Sequence, residues 1–242
     1  MVCNVLEVAC DRFVIGVETG EGGYKHYQCR GVLKKGLDWD AMKQLYGPMG
    51  WHVTPTSQEG RNWRYVQKEG NYYCSWEKAI SKYALLDLLP WQKQAIMMMD
   101  EQGERRISVI VDERGNHGKT YLAKYCVASH RAEYVPPFTD ALDYMAYAMA
   151  KPSRAYIFDV PRSETIKQKK GMWSAIEQIK NGYLYDKRYN FKDMWIEPPQ
   201  VLVFANEEPP LEALSSDRWQ ICDFMQMGKV DVLTPRVKGE DY

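Results

Sequence analysis

A chain of 242 residues exceeds the usual domain size of about 100 to 200 residues, and its 45% hydrophobic and 13% aromatic content is enough to fill two modest cores. Its 32 basic and 32 acidic residues cancel, which excludes a global field that draws in nucleic acid, so any polyanion has to be held by local patches. The six cysteines include no C-x-x-C pair, no apolar N-terminal run reads as a secretion signal, and nothing approaches the roughly 18 apolar residues of a membrane span; a soluble intracellular protein with free thiols and no membrane partner is expected.

In chain order, RFVIGV (12–17) and KHYQCRGVL (25–33) read as strands joined by the glycine-rich turn TGEGG, a hairpin pattern. WDAMKQLYG (39–47) has apolar residues at helical spacing and stops at a glycine, WHVTPT (51–56) reads as a short strand, and NWRYVQKEG (62–70) as a short helix ending at Gly70. Residues 1–74 thus form an α+β unit. From Ser75 to Gln102 the pattern is helical, with Pro90 as an interruption. Beyond it, ISVIVD (107–112), KTYLAKYCVASH (119–130), AYIFDV (155–160), GMWSAIEQIKNG (171–182) and VLVFAN (201–206) alternate strand and helix, the signature of a parallel α/β sheet over 103–228. Residues 229–242 read as a polar, frayed tail.

The segment DERGNHGKT lies between an apolar strand and an apolar helix, the context that a phosphate-binding loop requires. Gly115 and Gly118, with Asn116 between them, let backbone N–H groups turn toward a phosphate; Lys119 reaches the outer phosphates of ATP, and Thr120 ligates magnesium. The first glycine of the usual pattern is absent, Glu113 standing in its place, and a glycine-containing start of a helix without a ligand is the competing reading. Asp159 ends a neighbouring apolar strand, where an acid would hold magnesium. Asn206 ends a third, where its amide would orient water or sense phosphate, or simply make a turn. In an open parallel sheet that end binds ligands. Arg218 is either an arginine finger for the next subunit or a solvated arginine. Lys187, Arg188 and Lys192, set among aromatics, suit a hairpin that grips single-stranded DNA, or an exposed charged loop.

On a strand His26 and Gln28 share a face. Hairpin pairing would bring Glu18 beside His26, a mixed N/O site for Mg2+ or Mn2+, against the alternative of a structural histidine. Tyr65 and Lys68, three apart, share a helix face. Lys34, Lys35, Arg61 and Arg64 would supply local phosphate contacts.

HYQ, YVQK, GNHGKT, IFDVPRS and VLVFAN, in this order from about Phe13 to Trp219, resemble the replication initiators of small circular single-stranded DNA viruses, in particular the nanovirus and alphasatellite branch. The resemblance implies an HUH endonuclease domain (1–74), a helical linker or oligomerisation segment (75–102) and an AAA+-like superfamily-three helicase domain (103–228). It assigns the metal ligands to Glu18, His26 and Gln28, the nucleophile to Tyr65 and a supporting lysine to Lys68. It also implies an origin stem-loop as partner, a homo-oligomeric, hexameric ring and the host nucleus as location. The family's first motif, an FTLNN-like strand, is absent, so the expectation is either a truncated chain or impaired origin nicking. Val160 stands where many such helicases have a second acid, leaving the ATPase base unassigned.

Overall fold

The computed structural model describes residues 2–20, 22–55, 63–188 and 190–236. They divide into two compact units, one comprising residues up to Leu86 with Ala128–His130, the other Asp87–Val127 and the residues from Arg131 onward.

The first unit is built on a short antiparallel sheet. After helix α1 (Val2–Ala9), strand β1 (Cys10–Thr19) pairs with β2 (Lys25–Leu33) through the expected turn, and later with β3 (Tyr72–Cys74), giving the order β2-β1-β3. Side chains alternate along a strand, so β1 presents Phe13 and Ile15 to one face and Val14, Gly16 and Glu18 to the other. On the first face they pack with Leu6 and Ala9 of α1, with Tyr73, and with Met42 and Tyr46 of α2 (Trp39–Tyr46). Asp38 caps α2, its carboxylate accepting the Ala41 N–H at 2.9 Å.

The second face is covered by α3 (Arg64–Gln67), a single turn. Here Gly16 is decisive. A Cβ at residue 16 would lie 2.1 Å from the Val66 carbonyl oxygen, so only a glycine lets this turn press its backbone on the strand. Val66 then packs with Val14 and Cys74. Val53 and Trp51 alternate as a strand would, but residues 51–55 form none: both are partly buried against the α1/α2 core, and Trp51 stacks on Tyr46 at 5.5 Å. Burial on one side reproduces the pattern without a ladder partner. Thr56 and Arg61 lie outside the described residues.

The segment expected as a linker is divided between the units. It forms α4 (Lys78–Ser81), a tight turn over Lys82–Leu85, and α5 (Pro90–Asp100). Pro90 opens α5 rather than interrupting a helix, because the first helical position has no N–H bond to lose. The Gln92 side chain accepts the Leu89 N–H at 2.9 Å and completes that start.

In the second unit β4 (Ile107–Val111), α6 (Lys119–Ala128), β5 (Glu133–Val135), α7 (Ala141–Ala150), β6 (Ala155–Asp159), α8 (Lys170–Lys180), the hairpin β7 (Tyr183–Asp186) and β8 (Lys192–Trp195), β9 (Gln200–Ala205), β10 (Trp219–Met227) and β11 (Val230–Pro235) follow in turn. The main sheet runs β11-β10-β4-β9-β6-β5. All of its pairs are parallel except β10–β11. Residues expected as a frayed tail therefore include an antiparallel edge strand, whose Leu233 N–H donates to Gln94 of α5 at 2.9 Å. Val109, Tyr156, Phe158 and Val203 pack on one face with Tyr144 of α7 and Trp173 of α8. Their alternates Ile110, Ile157, Leu202 and Phe204 are buried as well, as strands covered on both sides require.

Gly16→Ala is expected to lower the stability of the first unit by about 1 to 3 kcal/mol, the usual cost of overpacking, because a backbone carbonyl has to move. Urea denaturation followed by tryptophan fluorescence measures it; an unchanged midpoint would refute the close-approach argument.

Candidate functional sites

In the first unit the register sets Glu18 directly opposite His26 and Gly16 opposite Gln28. Paired residues of an antiparallel ladder project to the same side, so Glu18, His26 and Gln28 share the face that α3 covers. Glu18 is only 6% exposed. Its Oε2 lies 3.1 Å from Lys68 Nζ and 3.6 Å from His26 Nε2, while its Oε1 is buried without a hydrogen-bond partner among the described residues. Lys68 Nζ also stands 4.5 Å from the centre of the Tyr65 ring, which is exposed. The carboxylate of Glu18, the imidazole of His26, the ammonium of Lys68 and the phenol of Tyr65 thus gather on one face. Hydrogen bonding to Glu18 raises the Lys68 pKa further above its ordinary value, so the side chain is a cation and not a proton acceptor at neutral pH.

Among the described residues no group of three His, Cys, Asp or Glu side chains could hold a metal ion. The residues that would hold a divalent ion here are Glu18 and His26, with Gln28 on the same face of the hairpin. The unspent lone pairs of Glu18 Oε1 and a mixed O/N donor set fit a hard divalent ion. Of the basic residues expected near phosphate, Lys34 donates to the Glu7 carbonyl at 2.7 Å, and Lys35 and Arg64 are exposed.

The second site lies at the carboxyl ends of β4, β9 and β6, which are neighbours in the sheet. Asp112, 2% exposed, is its centre. Its Oδ1 accepts the Gly115 N–H and meets His117 Nδ1, each at 2.7 Å, and its Oδ2 lies 3.1 Å from Lys119 Nζ. Burial alone would raise the Asp112 pKa, but the Gly115 N–H, Lys119 and His117 outweigh it and hold the carboxyl below its ordinary value. The loop turns at Gly115 (φ 80°), Asn116 (φ 65°) and Gly118 (φ 88°), with asparagine the residue that best tolerates a left-handed backbone after glycine. This turn, closed by Asp112, does without a glycine at position 113.

Lys119 Nζ donates to Asn206 Oδ1 at 2.8 Å, and Asn206 Nδ2 donates to the Val160 carbonyl at 2.8 Å. Thr120 Oγ1 is 3.4 Å from Asp159 Oδ2. Burial raises the Asp159 pKa, with Lys119 and Thr120 opposing. Gly115, Asn116, Gly118, Lys119, Thr120, Asp159 and Asn206 therefore converge.

Several participants were not singled out from the sequence. Asp112 and His117 lay inside quoted motifs without a role. Trp91 Nε1 donates to the His117 carbonyl at 3.0 Å and Gln92 Nε2 to the Gly118 carbonyl at 3.2 Å. The His117 ring stacks on Phe224 at 4.0 Å. The first turn of α5 thus braces the loop, a role invisible in a segment read as a linker.

Two expectations are corrected. Arg218 is neither solvated nor projecting: it is 5% exposed, donates to Asn181 Oδ1 at 2.7 Å and lies 3.6 Å from Glu177. Burial, and then the nearby Arg218 charge, bring the Lys180 pKa down to about 8, a mark of how deep this cation lies. On the β7–β8 hairpin, Arg188 is committed to Asp186 and Asp143, so it is not a free phosphate contact. Lys187 and Lys192 are exposed, and beside them Phe191 and Trp195 are 64% and 74% exposed.

No protein-family model matches the chain. Among curated proteins it is 31% identical over 137 residues to "Para-Rep C6" of Subterranean clover stunt C6 alphasatellite, covering 54% of this chain and 46% of that one. It is 31% identical over 142 residues to the "Master replication protein" of Faba bean necrotic yellows virus, 59% and 47% of the two chains, and 29% identical over 158 residues to that of Milk vetch dwarf virus, 65% and 50%. The chain is a relative of viral replication proteins. The proteins it is similar to are of the nanovirus and alphasatellite type, as the ordered motifs implied. The aligned regions span about half the length of these relatives.

Asp112→Asn is expected to cost about 3 kcal/mol, because the buried carboxylate is what the largely covered Lys119 ammonium and the loop donors face. The native carboxyl is depressed, so its contribution is complete above its ordinary value of about 4 and is lost as pH falls through the lower folded value. The melting temperature of the native chain is therefore expected to fall more steeply in acid than that of Asp112→Asn; parallel slopes would contradict this.

Proposed function

We propose that this chain is a rolling-circle replication initiator that nicks and joins single-stranded DNA through Tyr65 and uses ATP hydrolysis in its second unit to unwind DNA as a homo-oligomeric ring. The observation that carries the nuclease reading is Lys68, whose ammonium meets both Glu18 and the Tyr65 ring. A backbone phosphate brought to that face would meet a nucleophile, a fixed cation and an acid–imidazole pair together.

In the proposed reaction the Tyr65 oxygen attacks phosphorus, the bond to the 3′ oxygen breaks with its electron pair, and the proton lost by the phenol is balanced by the one taken up on the 3′ oxygen. The products are a 5′-phosphotyrosine and a free 3′-hydroxyl, and the retained ester allows rejoining by the reverse step. Lys68 offsets phosphate charge and favours the phenolate. A divalent ion held by Glu18, His26 and Gln28 would supply Lewis-acid polarisation of the phosphate. In the second unit the turns at Gly115, Asn116 and Gly118 support the phosphates of ATP. Lys119 exchanges Asp112 and Asn206 for them, and Thr120 and Asp159 would hold magnesium. Lys187 and Lys192, with the exposed Phe191 and Trp195, suit a single strand by phosphate contact and stacking.

Incubating the chain with a labelled stem-loop oligonucleotide and Mn2+ is expected to give a denaturation-resistant protein–DNA adduct that Tyr65→Phe abolishes. An adduct that survives this substitution would rule out Tyr65 as the nucleophile, and no adduct alongside intact ATP hydrolysis would leave a DNA-binding ATPase. Separately, Lys119→Ala is expected to remove ATP hydrolysis; retained turnover would unseat the loop at 112–120 as the nucleotide site.

A further inference from the structure

Three cations of the second unit, Lys119, Arg218 and Arg162, differ in how they are engaged. Lys119 is held between Asp112 and Asn206. Arg218 is buried against Asn181 and Glu177. Arg162 is exposed and rests on the loop itself. Its Nη2 donates to the carbonyl oxygens of Asp112 at 3.3 Å and Glu113 at 3.0 Å. A Cβ on Gly115 would lie 2.4 Å from that nitrogen, so the missing side chain is what lets a guanidinium lie against the turn. Among the described residues Arg162 has no carboxylate partner.

The backbone that carries Arg162 is fixed at the site. Val160 N–H donates to the Phe204 carbonyl at 3.0 Å, Val160 C=O accepts Asn206 Nδ2, and Pro161 restricts the link between them and Arg162. The side chain thus starts three residues beyond Asp159 and reaches the carbonyls of Asp112 and Glu113. A guanidinium offers five donors in a planar fork matched to phosphate, and two carbonyl oxygens leave most of that fork unspent.

We infer that Arg162 is a catalytic residue of ATP hydrolysis acting within its own chain, its guanidinium turning from the loop carbonyls to the outer phosphate of the nucleotide bound there. The inference rests on the ATP-site reading proposed above. In the step concerned, the oxygen of water bonds to the terminal phosphorus while the bond from that phosphorus to the bridging oxygen breaks. The electron pair leaves with ADP, and the proton of the water passes to the released phosphate. Charge grows on the oxygens of the transferring group, where a forked cation in place is worth about 10³-fold or more in rate.

The test uses Arg162→Ala and Arg162→Lys in the 242-residue chain, with binding of a fluorescent ATP analogue and release of inorganic phosphate as separate readouts. Arg162→Ala is expected to retain binding while kcat falls roughly 10³-fold, and Arg162→Lys to recover only part of the loss. A mixture of Arg162→Ala and Lys119→Ala chains is expected to stay inactive, because each site keeps its own defect. Recovery in that mixture would show the arginine serving a neighbouring chain and overturn the assignment. Native turnover in Arg162→Ala with binding intact would overturn it while leaving the ATP site standing. A native chain that binds no nucleotide would sink the ATP reading and this inference together.

Discussion

A carboxylate carried below the surface is tolerated only where cations and N–H groups answer it, and each unit of this chain is arranged around one such acid. Glu18 is met by Lys68 and His26. Asp112 is met by Gly115, His117 and Lys119. In both places the answering lysine also stands beside the groups proposed to handle phosphate. The lysine is thereby kept charged and in place, and an arriving anion competes with an internal partner instead of finding a free side chain.

Holding such groups still requires rigid backbone around them, and the means differ. In the first unit a missing side chain does it, since Gly16 admits the Val66 carbonyl and so sets α3 over the strand that carries Glu18. In the second unit hydrogen bonds do it. Trp91 and Gln92 take up carbonyls of the loop from outside while Asp112 takes up its N–H from within. Phosphate loops expose many backbone groups, and each one satisfied from behind leaves the front face free for a ligand.

With basic and acidic residues in equal number, any polyanion would have to be met by local placement. The β7–β8 hairpin shows how sparingly: one arginine is neutralised by two aspartates, and what remains outward is two lysines among aromatic rings. Stacking on such rings is an interaction that needs no net charge.

Largely apolar runs such as ISVIV and VLVFA, and the pairing of two strands across TGEGG, were legible because burial on both faces and a glycine-rich turn leave their mark in composition. The positions of Asp159 and Asn206 at strand ends were legible too, since they follow from the strand assignments. The sequence misled where one pattern has two physical causes. Trp51 and Val53 alternate because they are buried on one side, and Pro90 marks the start of a helix as readily as a break. It was silent about Asp112, Trp91, Arg162 and the seclusion of Arg218, whose roles come from residues distant in the chain. Local periodicity, set by each segment's own covalent geometry, thus determined which elements form and which groups stand at their ends. Which buried charge meets which cation was decided only by tertiary packing, because electrostatic pairing depends on distance in space, and folding alone sets that distance.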